Sequence, residues 1–344
     1  MMILGPRVLK TGIAVTLALY ICMILNLEPA VFAGVAAIFT VQPSIYRTWR
    51  QMFDQIITNT LGAAVALFSI YFLGDNPIII GFVIVLVISL SLKMKMESTI
   101  PLTLVTVLAI MSAPGNEELF FTMNRFFIIM IGIGSALLVN LFISPPKYKE
   151  NYLEKVHSIF QNMSLLLRTA VSNEMTETSF QEHSKKLQTD VRKLEEQFKI
   201  FDEEREKMAK LKPVNVREIV VFKQMLKTLQ QGEEVLENIE EHYFQSKATD
   251  EEDHLFDAHL EQLTRYHEYL FLKYEGKIRK QEDDIEQGIS SQSGVFFEQA
   301  LERYIQNKDQ KLRLFIIASS IVEYTFHLQR LDQLIDQYYK VRNK

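Results

Sequence analysis

The amino-acid sequence predicts an all-α protein in which a six-helix transmembrane domain is followed by a cytoplasmic bundle of long helices. Residues 1–146 hold only seven of the chain's 37 basic residues and six of its 42 acidic residues. Apolar segments fill this part, whereas the rest alternates charged residues with apolar stripes. A nearly charge-free half suits lipid and a charge-dense half suits water. The sequence therefore predicts a transmembrane domain over 1–146 and a helical bundle domain over 147–344.

The first domain divides into six apolar segments. They cover residues 8–27, 29–45, 55–73, 77–92, 98–113 and 124–144. A membrane-spanning helix needs about 20 predominantly apolar residues, with about 17 as a lower limit. The first, third and sixth segments meet this requirement, and the other three are short.

The charges between the segments predict the orientation. Basic residues occupy the amino end and every second connection: Arg7, Lys10, Arg47, Arg50, Lys93, Lys95, Lys147, Lys149 and Lys155. The alternate connections carry Glu28, Asp75, Glu117 and Glu118, and Arg125 is the exception to the pattern. Loops rich in lysine and arginine stay in the cytoplasm. We expect a multi-pass protein of the plasma membrane, in contact with the lipid bilayer, with both termini cytoplasmic.

The stretch from Val41 to Ala64 carries polar residues towards the hydrocarbon. Polar groups at that depth normally face a neighbouring helix or a wet cavity. The predicted substrate path consists of Gln42, Pro43, Arg47, Arg50, Asn59, Thr60, Gly62, Thr103 and Thr106. The two arginines are expected in a short loop, where they attract carboxylates at the cytoplasmic mouth. Membrane orientation and lipid headgroup contact is an equally good interpretation of both arginines.

The two halves of the transmembrane domain show a faint repeat. The second and fifth segments are short and carry prolines, and they are the middle members of two sets of three. The run Leu61–Ala64 (LGAA) is matched by Ile133–Ala136 (IGSA). Short or Pro/Gly-interrupted segments at matching positions are typical of inverted-repeat transporters. Close helix packing alone also explains the small residues.

Three features together resemble a known family: the QPS motif at Gln42, Pro43 and Ser44, the nearby arginines, and the run Asn59–Ala64 (NTLGAA). They resemble the amino-terminal module of the bacterial aromatic acid exporter family, which is related to the fusaric acid resistance proteins. The charged tail resembles the carboxy-terminal domain found with that module in a Gram-positive branch. The resemblance implies an integral membrane protein that exports aromatic carboxylic acids. Exporters of the family often have a doubled membrane region, so this single copy suggests that subunits assemble.

The second domain reads as a series of amphipathic helices. We predict them over residues 147–173, 178–211, 214–246, 251–287, 295–306 and 309–342, with a break at Pro213 and a flexible loop from Gly288 to Gly294. Two stripes follow the alternating spacing of four and three that is typical of a bundle or coiled coil. Their residues are Phe256, Leu260, Leu263, His267, Leu270 and Tyr274, and Ile321, Tyr324, Leu328, Leu331, Ile335 and Tyr338.

No enzyme motif accompanies these helices. The seven histidines all lie after residue 146, and the run from Glu251 to His259 approaches metal ligands most closely. His254 and His259 are five residues apart, however, whereas helical metal pairs use spacings of three or four. A solvated acidic helix start is the better interpretation. We expect no catalytic residues, no metal, no cofactor and no nucleic-acid partner.

Two classes of function remain. The first is a secondary exporter of small organic anions, in which Asn59, Thr60, Thr103 and Thr106 supply hydrogen bonds at depth. The second is a membrane-anchored scaffold or sensor whose helical tail binds a partner protein. Anchoring needs one span and no polar lining, which favours transport. The sequence predicts a homo-oligomer, most simply a dimer. The evidence is small helix faces, at Ala33 with Ala37 and at Gly132 with Ala136, and the stripes of the tail.

Overall fold

The computed structural model describes residues 6–112, 118–142, 148–171, 175–208, 216–246, 248–278 and 283–342. Within these ranges every regular element is a helix, so the predicted all-α class is confirmed. The chain divides into two compact units: the first contains Met1–Pro146, and the second contains Lys147–Arg205 with Ala209–Lys344. The residues on both sides of the predicted domain boundary, 146 and 147, lie outside the described ranges, and so does Pro213.

The first unit contains six α-helices in its described part. They are α1 (Pro6–Ile24), α2 (Val31–Thr40), α3 (Ile45–Leu73), α4 (Pro77–Lys93), α5 (Ile100–Met111) and α6 (Glu118–Phe142). A single 3-10 turn, Glu97–Thr99, precedes α5. By length and composition α1, α3 and α6 can cross a membrane, and α2, α4 and α5 are shorter apolar helices. The first, third and sixth segments are therefore the long ones, as predicted.

Helix α3 begins about ten residues before the predicted third segment. The Ser44 hydroxyl caps the helix by accepting a hydrogen bond of 2.9 Å from the Arg47 backbone N–H, which satisfies a donor that the helix itself cannot pair. The predicted loop around Arg47 and Arg50 is therefore wrong, because both arginines lie in the first turns of the helix. An ion pair of 3.8 Å between Arg50 and Asp54, one turn apart, is part of the same helical surface.

The six helices pack as two sets of three. Helix α6 packs on α1 and α2, helix α3 packs on α4 and α5, and α3 and α6 contact each other across the unit. Each set has its own apolar cluster. If α1, α2 and α3 correspond to α4, α5 and α6 in that order, each helix makes the same contacts as its counterpart. This is expected if the two halves are repeats.

Two glycines permit close helix contacts within these sets. A Cβ atom on Gly62 in α3 would lie 2.7 Å from the Thr103 methyl carbon in α5. A Cβ atom on Gly132 in α6 would collide with the Ala33 carbonyl oxygen of α2. Gly134, the partner of Gly62 in the predicted sequence match, faces open space. Gly132 is thus the structural counterpart of Gly62. It lies two residues before Gly134, the residue that the sequence match paired with Gly62.

The described part of the second unit contains six further α-helices. They are α7 (Tyr148–Thr169), α8 (Glu177–Met208), α9 (Val216–His242), α10 (Asp250–Tyr274), α11 (Asp283–Gln306) and α12 (Lys308–Arg342). All twelve residues of the two predicted stripes, on α10 and α12, are buried, and all of them except His267 belong to one apolar core. The stripes therefore pack against other helices of the same chain, and the prediction that they pair across subunits is wrong.

Two predicted boundaries in this unit are also wrong. Helix α10 ends at Tyr274 rather than near residue 287, since Gly276 takes a φ of +70° that favours glycine and stops the helix. The predicted loop from Gly288 to Gly294 lies inside α11. The Ser293 hydroxyl lies 3.2 Å from His259 Nε2, and the Phe296 ring is buried against the same imidazole. Burial of this face outweighs the low helix propensity of glycine and serine.

Candidate functional site

A row of polar side chains follows one face of α3. Gln51, Gln55 and Asn59 are spaced four residues apart, so they lie on one side of the helix, and all three are buried. The Ser98 hydroxyl donates to Gln51 Oε1 at 2.8 Å, and Gln51 Nε2 donates to Gln55 Oε1 at 3.2 Å. The side-chain nitrogen of Gln55 has no hydrogen-bond partner. An orphaned buried donor at this depth can bond to water or a ligand.

Asn59 joins this row to α5. Its Oδ1 accepts a hydrogen bond of 2.8 Å from the Thr106 hydroxyl, and its Nδ2 donates to the Gln55 carbonyl oxygen at 2.8 Å. The Thr106 hydroxyl also contacts its own helix, 3.0 Å from the Leu102 carbonyl oxygen. The amide is therefore held in one orientation by two neighbours.

A cavity of about 340 Å³ opens beside this amide, between α3, α5 and α6. Its lining combines polar, small and apolar side chains. They are Asn59, Thr60, Ala63, Ala64, Leu67, Thr106, Ile110, Thr122, Met123, Phe126 and Ile129. An apolar and aromatic wall with a few oriented polar groups is the usual composition of a small-molecule site.

The predicted path residues fall into three places. Asn59, Thr60 and Thr106 line the cavity. Gly62 and Thr103 meet at the contact between α3 and α5, where the buried Thr103 hydroxyl has no hydrogen-bond partner. The other four predicted residues, Gln42, Pro43, Arg47 and Arg50, lie around the start of α3. At a rise of about 1.5 Å per residue, Arg47 and Asn59 are about 18 Å apart along the helix, so the arginines do not reach the cavity.

Around the start of α3 lies a separate polar cluster. The amide nitrogen of Asn140, on α6, donates to the Thr48 hydroxyl at 2.6 Å and to the Gln42 carbonyl oxygen at 3.3 Å. Its oxygen accepts a hydrogen bond of 3.0 Å from the Lys10 ammonium of α1. Lys10 and Asn140 are both buried. The cluster links α1, α3 and α6. Neither the role of Asn140 nor the burial of Lys10 was predicted from the sequence.

Arg125 on α6 is the other buried cation of the first unit. Only 2% of the residue is exposed. The guanidinium carbon lies 3.1 Å from the centre of the Phe32 ring, and Nη2 donates to the Val105 carbonyl oxygen at 3.2 Å. Its Nε has no hydrogen-bond partner. In the sequence Arg125 is only an exception to the pattern of loop charges, because burial of a residue near a helix start leaves no sequence signal.

The second unit has a cavity of its own, of about 420 Å³, with an acidic wall. Its acids, on α8 and α9, are Glu177, Glu233, Glu237, Glu240 and Glu241. Burial, reinforced by the nearby Glu237 carboxylate, raises the pKa of Glu233 to about 7. No group of three or more potential metal ligands occurs among the described residues, His254 and His259 included.

These features define a helical membrane protein with a mainly apolar cavity that carries a few polar groups between its helices. Residues 2–143 match the model of a family described as aromatic acid exporter family member 1. The chain is 32% identical to the UPF0421 protein YgaE of Bacillus subtilis over an alignment of 348 positions, which covers 97% of this chain and 96% of that protein. The chain belongs to the aromatic acid exporter family.

Two further relatives match about half of the chain. The UPF0421 protein OB2406 of Oceanobacillus iheyensis is 31% identical over 160 residues, which are 46% of each chain. The UPF0421 protein BH2644 of Halalkalibacterium halodurans is 30% identical over 165 residues, which are 48% of this chain and 46% of that protein.

Proposed function

We propose that this protein exports small organic acids, aromatic acids among them, across the plasma membrane by secondary transport. The observation that carries the proposal is the cavity of about 340 Å³ at Asn59 and Thr106. Its volume lies at the lower end of the range for small-ligand sites, about 300 to 1,000 Å³. The apolar wall suits a ring, and the amide and hydroxyl groups suit its oxygen substituents. Membership of an exporter family supports the same function.

Secondary transport is proposed because the chain carries no phosphate-binding loop of the GxxxxGK[ST] type. Energy from ATP would need a partner subunit that supplies such a loop. An ion gradient or the gradient of the substrate itself needs no additional chain.

Efflux from proteoliposomes tests the proposed function. Vesicles containing the purified chain are loaded with labelled benzoate or 4-hydroxybenzoate at pH 8, where the ionised carboxylates leak slowly. We expect release to exceed that of protein-free vesicles and to respond to an imposed pH gradient or membrane potential. Release equal to the protein-free control for both acids would contradict export and favour the anchored scaffold or sensor.

We propose that all six helices of the first unit lie in the bilayer, with both termini and the second unit in the cytoplasm. The loop charges support this orientation. At about 1.5 Å per residue, α2 and α5 are about 15 and 18 Å long, short of the hydrocarbon thickness of about 30 Å. Their ends must therefore be covered by protein or water, because lipid cannot pair free backbone groups.

The topology predicts the location of fused reporters. A fluorescent protein fused after Lys95 should be cytoplasmic, and alkaline phosphatase fused near Asp75 should be active outside the cell. Both expected locations follow from the loop charges, since Lys93 and Lys95 are basic and no basic residue lies around Asp75. Phosphatase activity after Lys95 would overturn the arrangement. Immunoblots of each fusion control for expression.

We also propose a homo-oligomer, on a different surface from the one the sequence suggested. The small faces of α2 and α6 pack against each other inside the chain, since Gly132 abuts Ala33 and Ala36. The edge of the cavity is still free to contact a second subunit, since Thr60 and Ala64 of α3 are exposed there beside Met123 of α6. A second copy placed over this edge would shield the cavity from lipid.

Single-molecule photobleaching in native membrane patches measures the number of subunits. We expect mainly two bleaching steps per particle after correction for incomplete labelling. Replacing Ala64 by tryptophan should lower the two-step fraction, because the bulky ring keeps the second copy from the cavity edge. One step per particle in the unchanged protein would contradict the proposed dimer.

A further inference from the structure

Arg125 carries a charge that no described carboxylate of the first unit neutralises through a salt bridge. Its guanidinium keeps its proton under all ordinary conditions, and only 2% of the residue is exposed. Among the side chains that the structure describes, no carboxylate forms a salt bridge with it. A buried charge without a counter-charge is costly, and a charge at membrane depth usually marks the path of an ion or a substrate.

The contacts that Arg125 makes are weak substitutes for a counter-ion. The Phe32 ring offers a cation–π contact, with 3.1 Å between the guanidinium carbon and the ring centre. The Val105 carbonyl oxygen accepts one hydrogen bond, at 3.2 Å, although it belongs to the interior of helix α5. The Nε–H edge, which pairs with carboxylates in two-bonded arginine contacts, has no acceptor.

Arg125 lies one residue away from the cavity lining on both helices that it joins. Arg125 belongs to the set α1, α2 and α6, and it reaches across to Val105 in the set α3, α4 and α5. The next residues along both helices, Phe126 and Thr106, line the cavity. Helices α5 and α6 contact each other far less than each contacts its own set. A ligand in the cavity would reach the guanidinium by parting this contact between α5 and α6.

We propose that Arg125 binds the carboxylate of the exported acid, with the body of the acid in the cavity. This inference rests on the proposed function and adds the residue that recognises the charge. The carboxylate accepts from Nε–H and from the guanidinium edge that now bonds to Val105. The arginine then selects organic anions over neutral molecules of the same shape, whereas Asn59 and Thr106 contact the ring substituents.

A comparison of charged and neutral ligands tests the proposal. Binding of benzoate and of benzamide is measured on the purified full-length protein in nanodiscs, for the wild type, Arg125→Gln and Arg125→Lys. We expect the wild type to prefer benzoate by about tenfold or more, as charge-assisted hydrogen bonds are strong. The preference should disappear in Arg125→Gln, with benzamide affinity changed less than about twofold, and return in part in Arg125→Lys.

Two results of this experiment would overturn the inference. An unchanged preference for benzoate in Arg125→Gln would show that another group recognises the charge. Equal losses of benzoate and benzamide binding would make Arg125 a structural clamp between α5 and α6. If the wild type binds neither probe, the proposed function fails for these acids, and a second measurement decides on Arg125.

The second measurement supplies the missing carboxylate from the protein. Phe32 is replaced by glutamate, or by glutamine as the matched neutral control, and melting temperatures are compared in chloride buffer without carboxylates. We expect Phe32→Glu to melt about 3 °C or more above Phe32→Gln, and the difference to vanish when Arg125→Gln is added. Equal melting temperatures for the two Phe32 variants would show that Arg125 does not take a carboxylate, and would overturn the inference.

Discussion

Export of aromatic acids should fall to the protein-free level when Asn59 is replaced by leucine. The side chain of Asn59 is the only amide among the residues that line the cavity in the described part of the chain. Leucine is similar in size and cannot hydrogen-bond, so the cavity keeps its shape and loses this polar group. The efflux assay with 4-hydroxybenzoate measures the loss, and binding of 4-hydroxybenzoate to the purified variant shows whether recognition or a later step is affected.

The fold should survive this substitution. The Thr106 hydroxyl loses its 2.8 Å bond to Asn59 and keeps the Leu102 carbonyl oxygen at 3.0 Å as an acceptor. Hydrogen bonds between membrane helices contribute only about 0.6 to 2 kcal/mol each. Membrane abundance and the melting temperature of Asn59→Leu should therefore remain close to those of the wild type.

Thr58→Val is the matched control. Thr58 precedes Asn59, is equally buried, and donates to the Asp54 carbonyl oxygen of its own helix at 2.8 Å without lining the cavity. The Thr58→Val variant should retain export, because it loses a similar hydrogen bond and leaves the cavity unchanged. Retained export in Asn59→Leu would mean that Asn59 serves helix packing alone. Loss of export in both variants would point to general disruption of α3.

The sequence predicted elements whose signals are local and missed those that depend on tertiary contacts. The apolar lengths of α1, α3 and α6 were readable because a spanning helix needs a long continuous run. The start of α3 was missed because a polar, charged stretch reads as a loop until Ser44 is recognised as the helix cap. The glycine- and serine-rich part of α11 was misread since only its packing on α10 and α12 shows that Ser293 and Phe296 are buried.

The candidate site shows the same limit. Asn59, Thr60 and Thr106 could be predicted because polar residues inside apolar segments are unusual. Their meeting at one cavity depends on the pairing of α3 with α5, which no local pattern encodes. Lys10 and Arg125 read as ordinary charges near helix starts, and their burial appears only when α1 and α6 are packed. Sequence alone identifies polar residues at depth, but not which of them face each other.

Acid should destabilise the second unit through two buried histidines. His267 is fully buried between the Phe160 and Phe271 rings, with Nδ1 2.6 Å from the Tyr324 hydroxyl oxygen. Burial lowers its pKa to about 3 and lowers the pKa of His259, stacked on Phe296, to about 4. Both values lie below about 6.5, the ordinary value expected in the unfolded chain.

The sign of the effect follows from proton binding. Above pH 6.5 both histidines are neutral in the folded and unfolded chain, so their contribution to stability is fully present. Below pH 6.5 only the unfolded chain takes up protons, and stability falls by up to about 1.4 kcal/mol per pH unit for each histidine. The loss stops growing near pH 4 for His259 and near pH 3 for His267. Glu233 acts oppositely, because its raised pKa stabilises the fold as the pH falls from about 7 to 4.5.

Hydrogen exchange of the α10 and α12 amides, at pH 7.0, 5.5 and 4.5 in the detergent-solubilised full-length chain, measures this dependence. After correction for the intrinsic pH dependence of exchange, the opening free energy should fall by several kcal/mol between pH 7.0 and 4.5 in a Glu233→Gln background, up to about 5 kcal/mol for the two histidines. Adding His267→Gln, which keeps a polar partner for Tyr324 and cannot titrate, should remove about half of that pH dependence. A slope that is unchanged by His267→Gln would show that this imidazole does not control the acid stability of the bundle.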